Sequence, residues 1–260
     1  MAASIFEAVA DGPPALVEAL LRAGADANAR IPGTCQTPIM IAAGFGKSEA
    51  ARLLLRNGAD VNATTPKGET ALRFAVIKNQ PEIFKLVLDA GADADVAYAR
   101  TGTTPLMLAA GYGRTEMALA LLRKGAKVNA RDNDGATSLN KAAQDGHTET
   151  VKALLANGAD VNSQGADGTS ALMSAAHDGH TSTVEALLSK RPNLDAKAAN
   201  GLTALIFASL QGQTECVRRL VAAGADVNTA GNNGITALRA AASRGHGDIA
   251  MLLQRAGAKR

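Results

Sequence analysis

The chain repeats itself. A Gly-Ala pair stands at Gly24, Gly58, Gly91, Gly125, Gly158, Gly224 and Gly257, at intervals of 34, 33, 34, 33, 66 and 33 residues. The 66 is two periods, because one copy has become Arg191-Pro192-Asn193-Leu194-Asp195. In the same phase a hydroxyl residue recurs at Ser4, Thr37, Thr70, Thr104, Thr137, Ser170, Thr203 and Thr236, which makes eight units. A unit of this length cannot bury its own apolar face. Successive copies must therefore stack on one another, and length adds units rather than globular domains.

The stretch from Asn129 to Asn162 states the unit most plainly. Thr137 is placed to cap a first helix, and Leu139, Ala142 and Ala143 fall at i, i+3, i+4 on one face of it. Gly146 supplies the positive φ of a tight reversal. Thr148 is then expected to cap a second helix, with Glu149 in its first turn and Val151, Leu154 and Leu155 as its apolar stripe. Gly158 closes that helix, and the following polar, Gly-rich residues read as a hairpin.

The first unit opens its second helix at Pro13 and Pro14, and Glu7 and Glu18 suit a solvent-facing end. The turns of the second and fourth units are one residue longer than the others, around Ile31 and around Tyr98 and Arg100. In the third unit Asn79 replaces the turn glycine, which Asn tolerates. The seventh unit reads as having lost its closing Gly-Ala, with Pro192 stopping the helix instead. Gln254 to Arg260 is polar, as a terminal cap should be.

The wording of the units resembles the ankyrin repeat family over essentially the whole chain. Thr104-Pro105-Leu106 and Thr37-Pro38-Ile39 resemble its opening, Gly146-His147, Gly179-His180 and Gly245-His246 its inter-helix turn, and Gly58-Ala59-Asp60-Val61-Asn62 its close. The resemblance implies an all-α solenoid of eight helix-turn-helix units with short β-hairpin turns. It would form a single domain over 1–260, with caps at about 1–30 and 230–260 and internal repeats between them. The His that usually follows the family's opening is replaced by Met40, Arg73, Met107, Asn140, Met173, Ile206 and Arg239.

The charge balance, 27 basic against 24 acidic residues, is too even to point to nucleic acid. No window is apolar enough to span a membrane, and the first residues carry no basic leader, so a soluble cytoplasmic protein is expected. Cys35 and Cys216 lie five units apart and suit a reducing compartment rather than a disulfide. Polar residues at both ends predict a monomer.

No residues assemble into a reaction centre. His147, His180 and His246 occupy the family's structural turn position. His177 lacks a third ligand for a metal, the glycines are periodic rather than phosphate-binding, and no Ser has His and Asp partners in a motif. No catalytic residue, metal or cofactor is expected.

The resemblance points to binding instead. The two residues before each inter-helix turn are those the family varies to choose partners. They are Gly44 and Phe45, Ile77 and Lys78, Gly111 and Tyr112, Gln144 and Asp145, His177 and Asp178, Leu210 and Gln211, and Ser243 and Arg244. Phe45, Ile77 and Tyr112 are expected as an exposed ridge with repeats about 10 Å apart, flanked by Tyr98. Asp145, His177 and Asp178 form its polar rim. The expected function is a non-catalytic module that binds a folded protein on its concave face. An inhibitor or immunity-type protein that blocks an enzyme is the alternative within binding. An enzyme or small-molecule receptor in the concave groove is the alternative outside it.

Overall fold

The periodic hydroxyls begin helices. In the computed structural model, which describes residues 4–259, the backbone N–H three residues on donates to the side chain of Ser4, Thr70, Thr104, Thr137, Ser170, Thr203 or Thr236. Thr37 is the exception. Its own carbonyl takes the Met40 N–H at 3.0 Å, and its buried hydroxyl makes no bond. Met1, Ala2, Ala3 and Arg260, which entered the reading of the two ends, lie outside the described residues.

Among the described residues sixteen helices follow one another in chain order as eight helix-turn-helix couples. They are α1 (Ile5–Asp11) with α2 (Pro14–Arg22), α3 (Pro38–Phe45) with α4 (Ser48–Arg56), and α5 (Ala71–Ile77) with α6 (Pro81–Asp89). Next come α7 (Pro105–Gly111) with α8 (Thr115–Arg123), α9 (Ser138–Gln144) with α10 (Thr148–Ala156), and α11 (Ala171–Asp178) with α12 (Thr181–Leu188). The last are α13 (Ala204–Leu210) with α14 (Thr214–Ala222) and α15 (Ala237–Ser243) with α16 (Gly247–Arg255). The turns between pairs carry isolated antiparallel bridges at Gln164–Ser170 and Ala230–Thr236, and no longer strand among the described residues.

The chain divides into two compact units, Met1–Ala109 with Arg123–Ala126, and Ala110–Leu122 with Lys127–Arg260. In the first, α1 packs on α3 and α3 on α5, while α2 packs on α4 and α4 on α6. Ile39, Met40, Leu54, Leu72 and Ile83 are fully buried there. In the second, α9, α11, α13 and α15 pack in series, as do α10, α12, α14 and α16, around Leu139, Leu154, Leu172 and Met173. The i, i+3, i+4 stripes read from the sequence, Leu139-Ala142-Ala143 and Val151-Leu154-Leu155, are all buried.

Hydrogen bonds between neighbouring pairs recur with the period. Asn129 accepts from the Asp160 N–H (2.9 Å) and donates to the Gly158 carbonyl (3.1 Å). Asn28, Asn62 and Asn228 do the same one period apart. The hairpin tips are joined too, Ala166 N–H to Asp134 O at 2.7 Å and Ala199 N–H to Asp167 O at 2.8 Å.

Four local expectations are met or corrected by this geometry. Asn79 does take a positive φ, 55°. Thr148 is not a cap: His147 holds that position without a side-chain bond, and Thr148 is the first helical residue. Its hydroxyl lies 2.8 Å from that of Thr183 in the next pair. Pro192 does not stop α12, which has already ended at Leu188; Arg191 makes the reversal at φ 52°. The lost Gly-Ala also closes the sixth pair, α11 with α12, not the seventh.

The longer turns are closed by a wider ring. An ordinary turn bonds Gly135 N–H to Asp132 O, three residues back, whereas Cys35 N–H reaches Ile31 O and Gly102 N–H reaches Tyr98 O, four back. The extra residue is thus absorbed at the tip, leaving the flanking bonds Ile31 N–H to Gln36 O (3.0 Å) and Tyr98 N–H to Thr103 O (2.9 Å) intact.

Two outcomes follow. A side chain held left-handed costs about 1–2 kcal/mol, part of which glycine gives back as unfolded-chain entropy, so Arg191→Gly should stabilise the fold by about 0.5–1 kcal/mol in urea denaturation. Cys216 is buried with its thiol pushed above the ordinary range by desolvation. A thiol reagent should therefore label Cys35 alone in the native protein and both cysteines after denaturation.

Candidate functional site

The residues before each inter-helix turn are the last of the first helix, where the chain leaves the core. Solvent reaches them unless a neighbour covers them. In the first unit Phe45 ends α3 with its ring 61% exposed, beside Gly44, which adds no side chain. Ile77, at the end of α5, is half-buried, which corrects the expectation that it is exposed. Lys78 follows it in solvent. Tyr98 does not project from its longer turn as a free ring. The Arg73 guanidinium lies 4.1 Å from its centroid and holds it half-buried against α5. Arg73 is one of the residues that replaces the family's usual His, so this replacement has acquired a contact of its own.

In the second unit Tyr112 is 51% exposed, and the Arg114 guanidinium lies 4.8 Å from its ring. Arg114 occupies the turn position where three later units have His. Those histidines span the pairs: His147 Nε2 meets the Gly111 carbonyl (2.9 Å), His180 that of Gln144 (3.0 Å), and His246 that of Leu210 (3.3 Å). The ring also crowds the preceding turn. A Cβ on Gly146 (φ 70°) would come within 2.6 Å of the His180 ring, so that position requires glycine for space as well as for φ.

An open groove of about 650 Å³ lies within the second unit on the side of the hairpin tips and first helices. It brings together Gln144, His177 and Asp178 from the expected set. Asp145 is exposed but stands outside it. Sequence reasoning missed Asp134, Asp167, Lys141, Met173 and Phe207, which are also among the lining residues. The available signal was the column four residues after each cap, which reads Lys141, Ser174, Phe207 where Ile41 and Phe74 stand earlier. Met251, exposed on α16, was also passed over.

His177 is held on every side. The Gln211 amide nitrogen donates to Nε2 (2.9 Å), so Nδ1 carries the proton and donates to Asp178 (2.6 Å). Phe207 meets the imidazole edge to face at 5.9 Å and 75°. Both ring nitrogens are engaged within the protein, while the side chain stays 43% exposed. No three metal-ligating side chains converge among the described residues.

Electrostatics in the groove are lopsided. Lys141 is paired at 2.9 Å with Asp132, whose side chain is only 3% exposed. Asp167 receives the backbone N–H of Thr169 (2.9 Å) and then its hydroxyl (2.7 Å), and these hold its carboxyl below the ordinary carboxylate range. It is ionised at neutral pH.

The chain belongs to the ankyrin repeat family. The family model described as ankyrin repeats (3 copies) matches residues 5–98, 93–165, 139–231 and 172–259. With the helix pairs this defines an ankyrin-type repeat solenoid. The chain is 38% identical over 99 residues to human neurogenic locus notch homolog protein 4, covering 38% of this chain and 5% of that protein. It is 46% identical over 61 residues to human ankyrin repeat and KH domain-containing protein 1, covering 24% of this chain and 2% of that one. It is also 39% identical over 66 residues to glycerophosphocholine phosphodiesterase gde1 of Schizosaccharomyces pombe, covering 25% and 6%. The chain thus spans a small fraction of the length of these relatives. Repeats of this family generally mediate protein–protein interaction. Among the described residues no helix is long and apolar enough to cross a membrane.

The Lys141–Asp132 pair yields a test. Removing the ammonium leaves a buried carboxylate, so Lys141→Met should destabilise by about 1–3 kcal/mol. Adding Asp132→Asn removes the charge while keeping an acceptor for the Ala136 N–H, and denaturant midpoints should then recover.

Proposed function

We propose that the chain is a non-catalytic interaction module that binds a folded protein on its concave face. The contact residues would be Phe45, Ile77, Lys78 and Tyr98 in the first unit, and Tyr112, Gln144, Asp145, His177 and Asp178 in the second. The supporting observation is the exposure of Phe45 and Tyr112, at 61% and 51%. Large rings left in solvent at the positions the family varies suit interface anchors, where aromatic residues concentrate binding energy. In the same reading the eight pairs act as one capped domain, monomeric and cytoplasmic.

Alanine substitution tests it. Phe45→Ala and Tyr112→Ala should each weaken binding by about 30-fold, the effect of about 2 kcal/mol at a hot spot. Each should shift folding stability by no more than about 0.5 kcal/mol. Leu154→Ala, in the core, should cost about 2–5 kcal/mol of stability. Wild-type binding by both ring variants would place the interface elsewhere. Light scattering that finds a stable dimer at low concentration would overturn the monomer.

A further inference from the structure

The cations on the hairpin side of the second unit are already committed. Arg131 gives its guanidinium to the carbonyls of Gly135 (2.8 Å) and Gln164 (2.6 Å). Lys197 reaches the Ala230 carbonyl at 2.8 Å, and Lys141 is held by Asp132. The carboxylates facing the groove are not matched in this way. Among the described residues neither Asp134 nor Asp167 is in an ion pair, and Asp178 has only the His177 N–H. The Ala166 N–H bond to the Asp134 carbonyl, 2.7 Å, sets the two tips side by side, and both aspartates line the groove. Among the polar residues that line the rest of the groove stands the half-buried Phe207 ring. The open groove therefore sets two aspartates without ion-pair partners near an aromatic ring.

We propose that this groove seats an arginine side chain from a basic segment of the protein partner. The guanidinium would lie between Asp134 and Asp167 and the aliphatic stem against Phe207. Arginine fits this chemistry better than lysine. Its planar fork bonds two carboxylates at once, it sheds water at lower cost than an ammonium, and it stacks on an aromatic ring. A divalent cation does not fit, since no three ligating side chains converge there. The inference rests on the reading of the chain as a protein-binding module and adds the chemistry of one contact.

The test uses the full chain and no partner, so it is separable from the alanine tests of Phe45 and Tyr112. Isotope-labelled protein is titrated with the blocked tripeptide acetyl-Ala-Arg-Ala-amide, and in parallel with its citrulline analogue, which has the same shape and no charge. The arginine peptide should give saturable shifts confined to the resonances of Asp134, Asp167, His177 and Phe207. The citrulline peptide should bind at least about tenfold more weakly, as should the arginine peptide to Asp134→Asn/Asp167→Asn. Thermal melting checks that this variant remains folded. If it does not, Asp134→Asn alone carries the test, because that side chain makes no hydrogen bond among the described residues. Equal binding of the citrulline peptide, wild-type binding by the variant, shifts spread over every acidic surface, or no saturable binding would each overturn the proposal. If the arginine peptide binds as stated and the ring variants leave partner binding intact, the groove stands and the ring interface falls. The opposite pattern removes the groove alone.

Discussion

Each repeat depends on a side chain borrowed from its neighbour. An asparagine near the end of one unit holds the closing turn of the next through two hydrogen bonds, as Asn129 does to Asp160 and Gly158. A turn that reverses the chain after a helix leaves a carbonyl and an amide without helical partners, and a hydrogen bond to such a group contributes about 0.5–1.5 kcal/mol. The asparagine amide meets both, because its acceptor oxygen and donor nitrogen are separate atoms on one short side chain. Where the motif decays, the clamp decays with it. Asn162 keeps its bond to the Asn193 N–H (2.8 Å), and Asp195 keeps one to the Asp226 N–H (3.0 Å), but a carboxylate has no N–H to give to the carbonyl.

The same borrowing runs along the other faces of the stack. Histidines cross to the carbonyl at the preceding turn, the tips share backbone bonds, and hydroxyls pair between second helices, Thr115 with Thr150 and Thr148 with Thr183 at 2.8 Å. Thr181 meets Cys216 instead, at 3.6 Å, so this cysteine stands in a column that other pairs fill with threonine. Its burial is thereby explained by the stack rather than by thiol chemistry. Apolar contacts between consecutive helices supply the bulk of the stability, and these polar links set the register in which the helices meet.

Such a stack leaves one side free to vary. The residues at the ends of the first helices and at the hairpin tips differ from unit to unit. Phe45 and Tyr112 leave apolar surface in water at these ends, and Gln144, His177 and Asp178 gather at a groove that Asp134 and Asp167 also line. Arg73 on Tyr98 and Arg114 on Tyr112 illustrate a further use of that freedom: each arginine stands where the repeat pattern would place a histidine.

The fold was legible because the repeat period ties each residue to a structural role. The caps, the apolar stripes, the reversal at Asn79 and the longer turns all follow from spacing and local backbone preference. What spacing did not decide was which partner each side chain would choose. Thr148 has the chemistry of a cap, yet its hydroxyl turns to Thr183, because a neighbouring pair offers it a partner. Pro192 has the chemistry of a helix stop, yet Arg191 reverses the chain after α12 has already ended. At the candidate site, sequence position named Phe45, Tyr112, Gln144, His177 and Asp178, since exposure there follows from where a first helix ends. The arginine over Tyr98 and the meeting of Asp134, Asp167 and Phe207 in one groove join residues from different units. The sequence by itself determined the unit, its helices and its stacking, because those rest on interactions within about 35 residues. The tertiary structure alone decided the groove, because its walls come from successive units that only stacking brings together.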